Sequence, residues 1–360
     1  MFVYGDITTD ARVQRAADSL SENFDLTLIS LNKNKTIKDQ NFKNILINET
    51  SRNNVINYFK TIYESKKIIE RESPDIVYGH DYFSPLLIYL LKNKLKNTKF
   101  IYDAHELIIP DSKIKESLRN KFFRLLERKI ISKIDLLVCT NEERAKLMKG
   151  FYNLTYNPLI IRNISLLKKN KEVSNKEINQ NLEIFFSKPG ITLVYAGVIT
   201  NDRKLDNLIK AIGNEVTKFK LLIVGDGPSY NELKIKCELS NNLIYLFTGK
   251  VPYQSLGTIL SKCDIGFIYY PNDTLNNIYC ASNKLYEYAS IDLPILANEN
   301  PTITKFLDKY KIGIATNDFH KGLKILANNL QEFKSNCGKF IEENQWKNES
   351  KKLLEYIKVL

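Results

Sequence analysis

Apolar residues recur along the chain in two rhythms. Short, nearly continuous apolar runs read as buried strands: FVY (2–4), DLTLISL (25–31), DIVYG (75–79), KFIYDAH (99–105), IDLLVCT (134–140) and PLIIRNI (158–164). Between them, 11–22, 54–71, 84–96 and 113–132 place apolar residues at helical spacing. The same alternation restarts later with TLVYAGV (192–198), KLLIVG (220–225), NLIYLFTG (242–249), DIGFIYY (264–270) and PILAN (294–298). Helical patterns over 204–214, from Pro228, over 253–262 and over 283–290 separate these runs. Strands alternating with helices predict an α/β protein with parallel sheets covered on both faces.

The rhythm breaks once, at 165–190, a Lys- and Asn-rich stretch ending in Pro-Gly. We expect this stretch to cross between two doubly wound, Rossmann-like domains, 1–168 and 169–337. A last helix over 338–360, holding Trp346, is expected to cross back to the first domain. Two such domains would face a cleft at the carboxyl ends of their strands, where α/β sheets bind ligands.

A chain of 360 residues, 43% apolar, exceeds a single ordinary core, which agrees with two domains. No uncharged apolar run approaches the ~18 residues of a membrane span. MFVYGDITTD lacks the basic and apolar regions of a signal peptide. Five scattered cysteines without a CxxC, and three distant histidines, argue against a disulfide framework or a zinc site. These features lead us to expect a cytoplasmic protein. The net charge of +12 is mostly lysine, in a chain also rich in Asn and Ile. No ladder of arginines with interleaved aromatics suggests nucleic acid.

Candidate chemistry sits at strand ends. LLIVGDGPSYNEL (221–233) places glycines, among them Gly225, between a strand and a helix start. LVYAGVITNDRKLDNLIKAI (193–212) ends a strand at Gly197 and sets Arg203 and Lys204 at the next helix start, a pattern that suits a phosphate or diphosphate. A solvated basic loop would look the same. In YDAHEL (102–107) His105 closes a strand, and His80 in YGHDY (78–82) has a similar position. SNKLYEYAS (282–290) carries Glu287. Either Ser282 or Asn283 caps a helix whose dipole suits an acid, or the helix start and Glu287 together hold an anionic, hydroxyl-rich ligand.

The ordered series AGV…RKLDNLIKAI, IVGDGP, FTGKVPYQSL, CDIGFIYYP and SNKLYEYASIDLPILA resembles the donor-binding domain of family-4 retaining glycosyltransferases, which have the GT-B fold. TTDARVQRAADSL (8–20), YDAHEL and KIDLLVCTNEERAKLM (133–148) resemble the acceptor domain of bacterial members. The resemblance implies that Glu287 binds the ribose of a nucleotide-sugar. Amides of Ala281, Ser282, Asn283 and Lys284 would face sugar and diphosphate. Arg203, with Lys204, would neutralise the diphosphate beside Gly197 and Gly225. Lys250 and Val251 would lie against the base, and His105 would meet the donor sugar. Asp6 and His80 would lie on the acceptor side. The activity implied is transfer to a glycan or lipid-linked acceptor with retention, in bacterial surface-polysaccharide synthesis. No cofactor and no metal are expected.

Two departures bear on this. Family members commonly carry a second glutamate eight positions before the first, and that position is Tyr279. The common Gly-Arg of the first donor loop is Gly197-Val198. A catalytically silent sugar-nucleotide-binding partner and a GT-B epimerase therefore stay open. Finally, Ile114, Leu118, Phe122, Leu125, Leu126 and Ile130 predict one apolar stripe on a helix over 113–133. Lys121, Arg124 and Arg128 lie on the remaining surface. The stripe would pack on the core. The basic flank either is solvated or meets an anionic membrane surface.

Overall fold

A computed structural model describes residues 1–7, 10–32, 41–111, 116–169, 175–213, 218–240 and 243–360. Thr8 and Thr9 of the TTDARV segment, residues 113–115 of the basic helix, Asn214 and Asn242 lie outside the described residues. The chain divides into two compact units, Met1–Asn163 with Lys347–Leu360, and Ile164–Trp346.

Unit 1 is built on β1 (Thr27–Asn32), β2 (Lys43–Asn48), β3 (Ile76–His80), β4 (Lys99–Ala104), β5 (Leu136–Cys139) and β6 (Leu159–Ile160). Phe2 bridges in parallel to Ile29 and to Gly79. The opening segment therefore lies between β1 and β3 and joins two parallel pieces into one sheet, β2-β1-(Phe2)-β3-β4-β5-β6. Counting the Phe2 segment first, the order is 3-2-1-4-5-6-7. Unit 2 carries β7 (Ile191–Ala196), β8 (Phe219–Val224), β9 (Ile244–Gly249), β10 (Ile265–Ile268), β11 (Ile295–Ala297) and β12 (Gly313–Ala315). Its order β9-β8-β7-β10-β11-β12, all parallel, is the Rossmann order 3-2-1-4-5-6. Each order reverses once, beside the Phe2 segment in unit 1 and between β7 and β10 in unit 2. Ligands of such sheets bind at that switch point.

The apolar runs become strands because parallel strands covered by helices must be apolar on both faces. Every residue of β8 is buried. β2 was not foreseen: its half-exposed pattern leaves no continuous apolar run. β12, only three residues long, was missed as well.

The 165–190 stretch is not a bare crossing. Lys176–Ser187 forms a helix capped by Asn175, and Leu182 and Phe185 enter the unit 2 core together with Ile164 and Leu167. Lys220 of β8 reaches the carbonyls at the end of that helix, those of Phe185, Phe186 and Lys188, at 3.1, 3.2 and 2.6 Å. The domain change therefore falls at Asn163, and 164–168 pack in unit 2. The C-terminal region is two helices, Leu330–Glu343 and Trp346–Lys358. In the second, Leu353 and Ile357 are buried and Glu349 accepts from the Arg162 amide at 3.0 Å, within unit 1.

The basic helix begins at Leu118, with Ser117 as its cap, and ends at Ile130. Its predicted stripe is split: Leu126 and Ile130 are buried as expected, but Leu118, Phe122 and Leu125 are not. Leu118 is 87% exposed, Phe122 41% and Leu125 47%, whereas Phe123, Leu126, Glu127 and Ile130 are buried. The cause is what the neighbours offer. Phe123 enters a ring cluster with Tyr58, Tyr82 and Phe83, at centroid distances of 5.4, 5.3 and 5.1 Å. Glu127 accepts from Tyr102 at 2.6 Å and from Tyr152. Those partners centre the buried face on Phe123 and Glu127, so it keeps Leu126 and Ile130 and leaves Leu118, Phe122 and Leu125 outside.

Candidate functional site

In unit 2 the switch point lies after Ala196 of β7 and Ile268 of β10. The next residues make it cationic. Arg203 donates through Nη1 to the Tyr269 carbonyl at 3.0 Å, and its guanidinium stacks on the Tyr270 ring at 4.6 Å. Asn298 fixes that ring's backbone, receiving from Tyr270 N at 3.0 Å and donating to Tyr270 O at 2.8 Å. Lys284 brings its ammonium over the Tyr195 ring at 5.5 Å. Burial opposes its charge, but Tyr270, Tyr195 and Glu287 outweigh this against Arg203, so its pKa is raised and it stays a cation.

Gly197 has φ +148, and a Cβ there would come 3.0 Å from Lys284 Nζ, so glycine leaves room for the ammonium. Gly225 has a different reason. Its Cβ would meet the Gly197 carbonyl at 2.0 Å, so the Gly-Asp-Gly turn is needed for loop-on-loop packing. Lys204, with φ +46, opens the Leu205–Ile212 helix and leaves its side chain exposed, outside the cation pair.

Glu287 is buried, and Oε1 accepts from Tyr253 OH at 2.9 Å. That hydroxyl also meets Ser165 Oγ at 2.6 Å. Glu287 is the fifth residue of the Asn283–Ala289 helix, past its first turn. Ser282 takes the cap position but makes no side-chain capping bond, and its buried Oγ and the Oδ1 of Asn283 find no partner among the described residues. The simple capping account of this stretch therefore fails. Val251 is half-buried against the unit 2 core, and Lys250 is 83% exposed, 3.9 Å from Asp226.

In unit 1 the gap opens beyond the Phe2 segment and β3, near Asp6, His80 and Asp81. Asp103 organises its floor. It accepts from Arg12 Nε at 3.0 Å and Nη2 at 2.8 Å, and from Tyr78 OH at 3.2 Å. Asp10 caps the Ala11–Ser21 helix through the Arg12 and Val13 amides, which sets Arg12 in the first turn. Burial would raise the Asp103 pKa, but Arg12 and His105 hold it well below the usual range.

His80 and His105 both lie against this carboxylate, at 3.4 and 3.5 Å, and their ring nitrogens are 3.2 Å apart. Burial takes the His80 pKa down to about 4, so it is neutral. Burial lowers that of His105 too, yet Asp103 reverses the sign and leaves it raised. His105 is partly open at 15%, whereas His80 is 0% exposed and stacks on Tyr78 at 4.4 Å. An acceptor cannot touch His80, which instead supports Asp103 and His105. His80, Asp103 and His105 place possible metal-ligand atoms within 4.8 Å of one another. Both Asp103 oxygens already receive a guanidinium, which opposes a second cation there.

The family model described as "Glycosyl transferase 4-like" matches residues 9–141. That described as "Glycosyl transferases group 1" matches 190–338. The chain belongs to the family-4 glycosyltransferases of the GT-B fold. No curated protein matches it by sequence. Among solved structures, sucrose-phosphate synthase from Thermosynechococcus elongatus is 12% identical, with a TM-score of 0.73 and coverage of 96% of this chain and 92% of that one. HepE of Anabaena, solved with UDP, is 10% identical, with a TM-score of 0.71 and coverage of 100% and 99%. WaaG, described as a glycosyltransferase involved in lipopolysaccharide biosynthesis, is 11% identical, with a TM-score of 0.70 and coverage of 98% and 97%. At these identities the likeness is one of fold. This glycosyltransferase has no helix, among the described residues, long and apolar enough to cross a membrane.

Sequence reasoning singled out Arg203 and Glu287 but missed the side chains that hold them. Tyr253, Tyr270 and Asn298 stood inside quoted motifs without marking themselves. The side chain of Lys284 was overlooked in favour of its amide.

Proposed function

We propose that this glycosyltransferase uses a nucleotide-diphosphate sugar as donor, bound through the cation pair of unit 2. The observation that carries the reading is the approach of Arg203 and Lys284 to Tyr270 at the switch point. Two fixed cations suit a diphosphate, the group released when the sugar leaves. Lys284 offsets the absence of the usual arginine at Val198. HepE has been solved with UDP and with UDP-glucose, which makes UDP-glucose the first donor to try.

In the reaction, the bond from the anomeric carbon to the diphosphate oxygen breaks and one to the acceptor oxygen forms. By the family resemblance, attack comes from the same face, with retention, and the departing phosphate takes the hydroxyl proton. Arg203 and Lys284 stabilise that leaving group without a metal. Glu287 accepts from the ribose hydroxyls, and His105 meets the donor sugar. The acceptor is a glycan or lipid-linked oligosaccharide of a bacterial surface polysaccharide, reached at the cytoplasmic face of the membrane. The outward-facing Leu118, Phe122 and Leu125, flanked by Lys121 and Arg128, support contact with an anionic bilayer.

The test is a thermal-shift screen against nucleotide-sugars, followed by turnover with and without EDTA. A donor that binds only the folded chain raises Tm. UDP-glucose is expected to do so, and Glu287→Gln to weaken its binding by about 1.5–3 kcal/mol. Turnover is expected to survive chelation. Turnover lost in EDTA and restored by Mg²⁺ would overturn the metal-free mechanism, and binding without turnover would favour a silent partner protein.

A further inference from the structure

The chain enters unit 2 at Ile164, and the next residues grip the elements around Glu287. Ser165 is buried, and its Oγ lies 2.6 Å from Tyr253 OH. Tyr253 opens the Tyr253–Leu260 helix and donates to Glu287 Oε1 at 2.9 Å. Leu167 N donates to Ser290 Oγ at 2.9 Å, and that hydroxyl donates to the Glu287 carbonyl at 2.8 Å. Gly257, one turn after Tyr253, lies against Lys168, where a Cβ would come 2.3 Å from the Lys168 carbonyl oxygen. Residues 165–168 therefore reach Glu287 twice, at its carboxylate through Tyr253 and at its main chain through Ser290.

The protons give this relay a direction. A phenol has one to donate. Tyr253 gives it to Glu287, so Ser165 is the donor in the 2.6 Å contact. The bond from Ser165 occupies the phenol oxygen as an acceptor and aims its O–H at the carboxylate. Hydrogen bonds in such a chain polarise and strengthen one another. Tyr253 needs this hold, because its ring is 48% exposed and packing alone does not immobilise it. Attachment of the segment does not require Ser165. The Leu167–Ser290 bond and the close approach at Gly257 already tie 165–168 to unit 2. What Ser165 adds is control over one carboxylate. A glutamate that waits in one rotamer loses less side-chain entropy when its ligand arrives.

We propose that Ser165 is a positioning residue for the donor site: acting through Tyr253, it holds the Glu287 carboxylate in the orientation that receives the ribose hydroxyls. The proposal rests on the donor reading, in which Glu287 accepts from those hydroxyls.

The test is calorimetry with UDP and with 2′,3′-dideoxy-UDP, which keeps the base and the diphosphate but offers Glu287 no ribose hydroxyl. Ser165→Ala is expected to weaken UDP about three- to tenfold and to leave the dideoxy ligand within about twofold. Tyr253→Phe, on a half-exposed residue, should show the same pattern. The double variant should bind UDP no more weakly than Tyr253→Phe alone, because without the phenol Ser165 has nothing to act through. A serine kept only for structure gives the opposite. Ser165→Ala then lowers Tm, weakens both ligands alike, and adds its loss to that of Tyr253→Phe. That outcome, or unchanged UDP affinity in Ser165→Ala, overturns the proposal. A wild type that binds no UDP, or binds UDP and the dideoxy ligand equally, removes the ribose role of Glu287 and the proposal with it. A wild type that prefers UDP, with variants that keep the preference in full, removes Ser165 alone.

Discussion

Beside the switch point of unit 2, between β7 and β10, two cations, Arg203 and Lys284, are held by aromatic rings and a backbone carbonyl, and Gly197 leaves room for the ammonium. Unit 1 has the same strand order with a seventh strand at its edge, but its nearby cation, Arg12, points into the floor and binds Asp103 through two nitrogens. What remains near that opening is His105 and the carboxylate of Asp81. The shared topology gives each unit a gap at its strand ends, and the side chains there set its charge. A cation pair at the strand ends, with, among the described residues, only Asp202 at 3.7 Å from Arg203 and Glu287 near Lys284, is the charge pattern on which the diphosphate proposal rests. On the proposed reading the contrast also divides the work, with the unit 1 network carrying stability and the unit 2 pair binding the donor.

The largest test of that division is Arg12→Ala. Removing one partner of a buried ion pair costs about 3–5 kcal/mol. Hydrogen exchange is expected to show β3, β4 and β5 losing protection while β7, β8 and β10 keep theirs. Uniform loss in both units would mean that the network is not local to unit 1.

A pH effect of somewhat smaller size should also be confined to unit 1. Burial raises the Glu127 pKa to about 7, against the donated bonds of Tyr102 and Tyr152. For an acid raised on folding, the stability it contributes is full below the unfolded value and is lost as pH rises through about 7. Unit 1 is expected to lose on the order of 2–3 kcal/mol between pH 5 and 8 through this group. Glu127→Gln should flatten that slope in thermal melts. An unchanged slope would remove Glu127 as its source.

The complementary test falls on unit 2. Arg203→Ala and Lys284→Ala are each expected to weaken UDP by about 1.5–3 kcal/mol, roughly 10- to 100-fold, with little change in Tm. Uridine, which lacks the diphosphate, should lose far less. Equal losses for the two ligands, measured by calorimetry, would move the cations away from the phosphates. The smallest expected effect belongs to Tyr253→Phe, which removes a donor from Glu287. A cost of about 0.5–1.5 kcal/mol in UDP-glucose affinity is expected. No change would leave Tyr253 as a bystander to the ribose site.

Much of the unit 2 candidate site was legible because it is written in short segments. Gly197 and Arg203 stand at element boundaries, which leave marks in sequence, and Glu287 lies inside the short helix that the SNKLYEYAS segment marks. The residues that complete the site were not legible. Tyr253 reaches Glu287 from 34 positions away, and Asn298 fixes Tyr270 from 28 away. Contacts over such distances have no local pattern. His80 misled for a related reason. Position at a strand end suggested an open side chain, and only packing against Tyr78 shows it sealed.

By itself the sequence determined the α/β class, most strands of both sheets and the family. Those properties follow from apolar periodicity and from motifs a few residues long, which local chemistry enforces. Tertiary structure alone decided which face of the Leu118–Ile130 helix is buried, that the 165–190 stretch holds a core helix, and that Arg12 and Asp103 meet across 91 residues. Helical spacing says that one face is apolar, but it does not say what waits on either side. Here Tyr58, Phe83, Tyr102 and Tyr152 are the partners of Phe123 and Glu127, so the buried face centres on those two residues, keeps Leu126 and Ile130, and leaves Leu118 outside.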